Sequence, residues 1–284
     1  MRNTLARKAL LGAALVALTA AAGCNKKPEA QKTASSAAAS SQVAASSEAP
    51  TPLTFAEASP EAQVALKLPA ELAQEPELHR QLYDREVRDL RNFAESAKAE
   101  FAEMGDSAQG ALPSEKREDW MVAAETAKLI SLRSLTYEFA TGGAHPNVVY
   151  GAMLWNRALK KPVVLSSLFE PGADLAKVQS ALCDGVRTET MQRFGGVRPV
   201  GDTTGTPCPK LEDTPFQLAP STTAGKAAGL TFLISPYATG SLANAPYQVT
   251  VTLPTFRAIL SPAYADDFSG DPAAPKPDEK PKAT

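Results

Sequence analysis

Histidine, cysteine and net charge are all scarce in this chain. Two histidines and three cysteines are spread over 284 residues. The cysteines have neither C-x-x-C spacing nor a neighbouring histidine pair, so no zinc motif forms. There is no G-x-S-x-G elbow, H-E-x-x-H pair, phosphate loop or dinucleotide fingerprint. The sequence therefore points to no catalytic residue, no metal ligand and no cofactor. The formal charge is only −2, and no basic block of the kind that grips phosphates follows the N-terminal segment, which argues against nucleic acid as a partner. Long apolar runs are lacking as well. The most continuous one, Ala9 to Ala20, is shorter than the roughly 20 residues a spanning helix needs.

That short run is instead the centre of a secretory signal. Arg2, Arg7 and Lys8 precede it, and the small residues Ala20-Ala21-Ala22-Gly23 lead into Cys24. A cysteine directly after such a run is the lipobox pattern, with Ala21 here where leucine is commonest. The expectation is cleavage after residue 23 and acylation of Cys24, palmitate among the chains; an ordinary signal beside a chance cysteine is the alternative. One acyl chain holds a protein marginally and several hold it firmly, so the expected partner is the membrane. Asn25 stands where an aspartate would signal inner-membrane retention. The expected location is the bacterial cell envelope, lipid-anchored in the outer membrane and facing the periplasm. Losing Arg2, Arg7 and Lys8 takes the formal charge from −2 to −5.

From Lys26 to Pro52 the chain is Ala, Ser, Thr, Gln, Glu and Pro, with almost no bulky apolar residue. Such a segment buries too little surface to offset its ordering entropy, so residues 24–52 read as a tether. The stretch after about residue 262, rich in Pro, Lys and Asp towards its end, reads as a tail over 263–284, and Asp266-Asp267 as its solvated start. About 215 residues remain between the two ends, enough for one large domain or two small ones. With Cys24 committed to lipid, Cys183 and Cys208 form either a disulfide or two buried thiols; an exported chain permits the bond. Bonded, they close a loop of about 26 residues, worth roughly 3.5 kcal/mol on the chain-entropy model.

Periodicity supplies the elements. A strand is expected near the end of Leu53–Leu68. Leu78, Leu82, Leu90, Phe93, Ala97 and Phe101 recur at helical steps and predict a helix over 76–104. Gly105 marks its stop, and His79 falls on a charged, solvated face. Strands are expected over Trp120–Ala124, Leu129–Phe139 and Val148–Asn156. In the second of these the apolar parity changes between Leu132 and Leu135, which predicts a β-bulge near Arg133 or Ser134. A second helix runs to about Phe194, with Leu175, Val178, Leu182 and Val186 on one face. Strands follow at Phe216–Leu218, Gly229–Ile234 and Tyr247–Leu253, with a short helix near Thr255–Leu260. The last strand alternates cleanly, with Tyr247, Val249, Val251 and Leu253 inward. Strand groups separated by isolated helices give an α+β fold rather than alternating βαβ units.

In order along the chain, Tyr137-Glu-Phe139, Gly142-Gly143-Ala144-His145-Pro146, Leu165-Ser-Ser-Leu-Phe169 and Tyr237-Ala-Thr-Gly240 resemble motifs of an envelope family. The family includes the outer portion of RsiV-type anti-sigma factors and the non-catalytic N-terminal part of PdaC-type peptidoglycan deacetylases. The resemblance spans roughly Leu53 to Leu260. It implies two consecutive small α+β parts, each a mostly antiparallel sheet with a packed helix: a PdaC-associated-like part over 53–150 and an RsiV-like part over 151–262. It also implies a binding role, since the RsiV-type ectodomain recognises lysozyme. Anti-sigma activity and the deacetylase reaction are not expected to carry over, because no cytoplasmic sigma-binding segment and no separate deacetylase domain accompany these motifs.

Three residues are candidates for ligand contact. His145 is either a general base or polar contact in a groove, or a passenger in a turn that two glycines and Pro146 shape. Pro236 and Tyr237 resemble the family's exposed proline–tyrosine segment, where a tyrosine either anchors a partner or covers the core edge. The expected function is a tethered, non-catalytic binder of an envelope protein, lysozyme-like or other, or of a peptidoglycan ligand. The alternative is an accessory to a peptidoglycan hydrolase or deacetylase with His145 near its site.

Overall fold

In the computed structural model, residues 50–193, 208–236 and 246–274 are described. The chain enters through a hairpin, β1 (Thr54–Ala58) and β2 (Ala62–Lys67), where the sequence suggested one strand. Ser59 makes the difference: its Oγ accepts from the N–H of Glu61 at 3.2 Å and of Ala62 at 3.1 Å, closing a turn in front of Pro60. Helix α1 (Pro76–Met104) follows. Proline suits its first turn, where an N–H has no helical acceptor, and Gly105 ends it at φ 53°, a conformation that favours glycine.

Helix α1 is a crossover. It carries the chain from β2 to a parallel neighbour, β3 (Ser114–Glu125). Strands β4 (Leu129–Phe139), β5 (Asn147–Asn156) and the two-residue β6 (Lys161–Pro162) then add in antiparallel succession, giving a six-stranded sheet in chain order. The second half opens with a 3-10 turn (Leu165–Leu168) and α2 (Ala176–Arg193). A second sheet is built from β7 (Phe216–Pro220), β8 (Ala227–Ile234) and β9 (Tyr247–Thr252), all antiparallel, with α3 (Leu253–Phe256) after it. The class is α+β. The expected division at 150/151 falls inside β5.

The first sheet is covered on both faces. Trp120, Val122, Ile130, Leu132 and Trp155 meet Leu78, Leu82 and Leu90 of α1. Leu129 and Leu154 point the other way, into the core shared by α2 and the second sheet. Hydrogen bonds join the two layers: Leu218 N–H donates to Ser131 Oγ at 2.9 Å, and Tyr150 N–H to Ser235 Oγ, just after β8, at 3.1 Å. This double cover corrects the expected bulge near Arg133 or Ser134. Strand β4 carries no extra residue on either ladder, and both parities are apolar because both faces are covered. The bulge lies across the ladder in β3, between Val122 and Ala124.

Three further expectations need correction. His79 is not solvated: it is 5% exposed, and its Nε2 lies 2.9 Å from the carbonyl of Pro52, because the incoming chain lies over that flank of α1. Residues 263–274 are not a loose tail. Tyr264 and Phe268 are buried, and bridges Ala227↔Phe268 and Ser221↔Pro272 hold this segment to the β7–β8 hairpin. Asp267 is only 2% exposed; it accepts from Thr126 Oγ at 2.6 Å and lies 3.8 Å from Lys128 Nζ.

Candidate functional site

The β4–β5 connection places His145 in solvent. Gly142 adopts φ 76°, and a Cβ on Gly143 would lie 2.9 Å from the carbonyl oxygen of Ala140, so both glycines are needed by the turn. The imidazole is exposed, with Nδ1 3.3 Å from the carbonyl of the adjacent Pro146. Among the described residues no carboxylate orients it, so nothing there prepares it as a base. Pro236 is buried rather than exposed, which corrects its reading as a surface contact: it follows β8, a strand buried at every position. Tyr237 and Cys24 lie outside the described residues.

Cys183 and Cys208 are joined, with Cα atoms 5.2 Å apart. Gln179 sits against this bond. Its Nε2 lies 3.1 Å from Cys208 Sγ and donates to the carbonyl of Pro209 at 2.9 Å, while its Oε1 accepts from Leu211 N–H at 3.1 Å. One amide on α2 thus fixes the chain leading into β7.

That lead-in forms one wall of a trough. The opposite wall is the outer edge of β5 and the segment after β6. Here a space of about 430 Å³ is lined by Met153, Val163, Pro215 and Phe216 among others, with Arg85 at one end. A second space of about 430 Å³ continues it towards Leu175 and Gln179 of α2. The two share Val164, Leu165, Leu211 and Glu212, so they form one continuous depression. At the shared waist Val164 is 63% exposed, an unusual position for a large apolar side chain beside apolar walls. Neither His145 nor Pro236 lines this trough, whereas the disulfide braces its wall through Gln179.

A second unusual cluster lies between α1 and β3. Glu86 and Glu118 are 5% and 6% exposed. Burial, then a hydrogen bond to Glu86 and that residue's charge, push the Glu118 carboxyl up to about 8 from an ordinary 4.5; Lys116 opposes the rise and Asp89 adds to it. Lys116 Nζ is 3.8 Å from Glu118 and 3.5 Å from Glu138. Arg85 donates to Glu86 through Nε at 2.7 Å and stacks 5.6 Å from the Trp120 ring centre. The pair holds a proton at neutral pH, but its burial leaves no room for a substrate. Its signal in the sequence is the charged run Ser-Glu-Lys-Arg-Glu-Asp before Trp120, which forms the first half of β3.

No known family model matches the sequence. No curated protein matches it significantly. Among solved structures, the chain is similar to a DUF3298 family protein from Pseudomonas aeruginosa PAO1, with TM-score 0.50 and 17% identity over 76% of this chain and 94% of that one. A DUF3298 family member from Bacteroides fragilis NCTC 9343 gives TM-score 0.48 and 14% identity over 75% of this chain and 94% of that one. The likeness to the first is a likeness of fold. Among the described residues, no helix is long and apolar enough to cross a membrane.

Proposed function

We propose that this chain is a lipid-tethered protein of the bacterial cell envelope whose folded part binds a protein or peptidoglycan ligand without chemistry of its own. The observation that carries the binding part is the trough: a continuous, mostly apolar depression between two sheet edges, with an exposed valine at its waist. The small-residue run before Cys24 supports the tether and the export. The ordered motifs Tyr137-Glu-Phe139, Gly142–Pro146 and Leu165–Phe169 support kinship with the RsiV and PdaC group, and with it a lysozyme-like protein as one candidate ligand. A tether of about 30 residues reaches up to roughly 100 Å from its bilayer. The exposed, unoriented His145 favours binding over an accessory role in hydrolysis.

Two measurements test the proposal together. Mass spectrometry of the N-terminal peptide purified from membranes is expected to show acyl chains on Cys24, and Cys24→Ser to release the protein into the soluble fraction. The mature protein is expected to retain c-type lysozyme, another envelope protein or peptidoglycan fragments. An unmodified Cys24, or a domain that retains none of these, removes the corresponding half.

A further inference from the structure

We infer that the trough is a docking groove for an extended polypeptide segment carrying a cationic side chain between apolar ones. This rests on the binding reading above and narrows its ligand to a peptide. The walls set the apolar requirement. Met153, Val163, Leu165, Leu211 and Phe216 line them, and Val164 projects at the waist, where a docked apolar side chain would remove it from water.

The β5 wall supplies main-chain groups. The carbonyl of Leu154 accepts from Val163 N–H at 2.7 Å, and Tyr150 N–H donates to Ser235 Oγ. Residues 150, 152 and 154 therefore direct their main-chain groups away from β4. Ala152 lies in the trough wall at that parity, and β6 pairs only with Trp155 and Asn156, stopping short of it. Among the described residues, the outward N–H and C=O of Ala152 have no partner. A strand edge left open beside an apolar groove is the arrangement that takes up an extended peptide. A glycan lacks the evenly spaced main-chain donors and acceptors that would match it.

Charge selects within peptides. Glu212 and Asp213 stand exposed on the rim, and neither is ion-paired among the described residues. Arg85, the cation lining the trough, is already bonded to Glu86. The open charge is negative, so an arginine or lysine is favoured and an acidic side chain repelled.

The test uses the mature protein and three probes. These are an acetylated heptapeptide amide alternating Val and Leu about a central Arg, its twin with Glu at that place, and an N-acetylglucosamine tetramer. In an NMR titration the Arg peptide is expected to shift the amides of Ala152, Val164, Leu211 and Glu212. It should bind about tenfold more tightly than the Glu twin. The double change Glu212→Gln, Asp213→Asn should erase that preference, and Val164→Glu should abolish binding, each with an unchanged melting temperature. Equal binding of the two peptides, shifts confined elsewhere, no binding, or binding of the sugar alone overturns the inference. Sugar binding would leave the envelope-binding reading standing, whereas an unlipidated Cys24 would remove the tether and leave the groove untouched.

Discussion

Under α2, the residues that meet the second sheet are Val178, Leu182 and Val186, set against Tyr247, Val249 and Val251. Gly185 allows the close approach, since a Cβ there would lie 2.2 Å from Val249 Cγ1. Under α1, the same kind of contact carries His79, Glu86 and Glu118 beside its leucines. One helix is held by shape, the other partly by buried charge. Apolar packing gains stability at every pH, while buried carboxyls cost desolvation that only a proton or a partner offsets. The trough has a wall in each half: the disulfide-braced lead-in to β7 on one side, and β5 with Arg85, which is bonded to the buried Glu86, on the other.

The sharpest way to break the comparison is to damage the apolar half by shape alone. Phe256 is fully buried and stacks edge-on with Phe169 and Phe268, centroids 5.8 Å apart in each case. Phe256→Ala is expected to cost about 4 kcal/mol in denaturant unfolding, from lost burial and the cavity left behind, and by the same amount at pH 5 and pH 8. A pH-dependent loss would mean that the two halves share their charges. Next comes the brace. Cys183→Ala with Cys208→Ala should cost about 3.5 kcal/mol on the chain-entropy model. It should also raise hydrogen exchange at Leu211, whose N–H is fixed by Gln179 beside the bond. Unchanged exchange there would show that Gln179 alone positions the trough wall.

The two halves also differ in how far their sequence could be read. Helix α1 and the inward set of β9 follow from local periodicity, which records one covered face. Local pattern fails where cover comes from far along the chain. His79 looked solvated because its partner, Pro52, is 27 residues away. Asp267 looked like part of a tail because Thr126 is 141 residues away. The strand expected from Trp120 starts six residues earlier, because a charged strand is recognised only once α1 is known to cover it. The trough was invisible for the same reason: Val164, Leu211 and Ala152 carry no motif, and only the meeting of two sheet edges makes them a surface.

The third test addresses the charged half. The folded-state value of Glu118 is raised to about 8 from 4.5, so between those values the folded chain holds a proton that the unfolded chain has released. Stability therefore falls as pH rises through that window and levels off above it. Glu118→Gln keeps the shape and removes the titration. It should flatten the pH profile and leave the variant more stable at pH 8, by roughly 3 kcal/mol. A profile as steep as that of the parent protein would place the titrating group elsewhere.

The smallest effect concerns the seam where the C-terminal segment meets the first sheet. Thr126 Oγ donates to Asp267 at 2.6 Å and accepts from Leu129 N–H at 3.0 Å, so one hydroxyl serves both the β3–β4 turn and a buried carboxylate. Thr126→Val removes both bonds with little change in volume. Asp267 would keep only the Lys128 N–H at 3.3 Å and the more distant ammonium. A loss of about 1.5 kcal/mol is expected, with chemical shifts moving at Phe268 and Ala227 but not at Leu82 or Leu90 of α1. If α1 moved as well, the seam would couple the two halves. The polar half would then transmit its pH dependence to the disulfide-braced wall of the trough as well, and the contrast between helices held by shape and by charge would no longer hold.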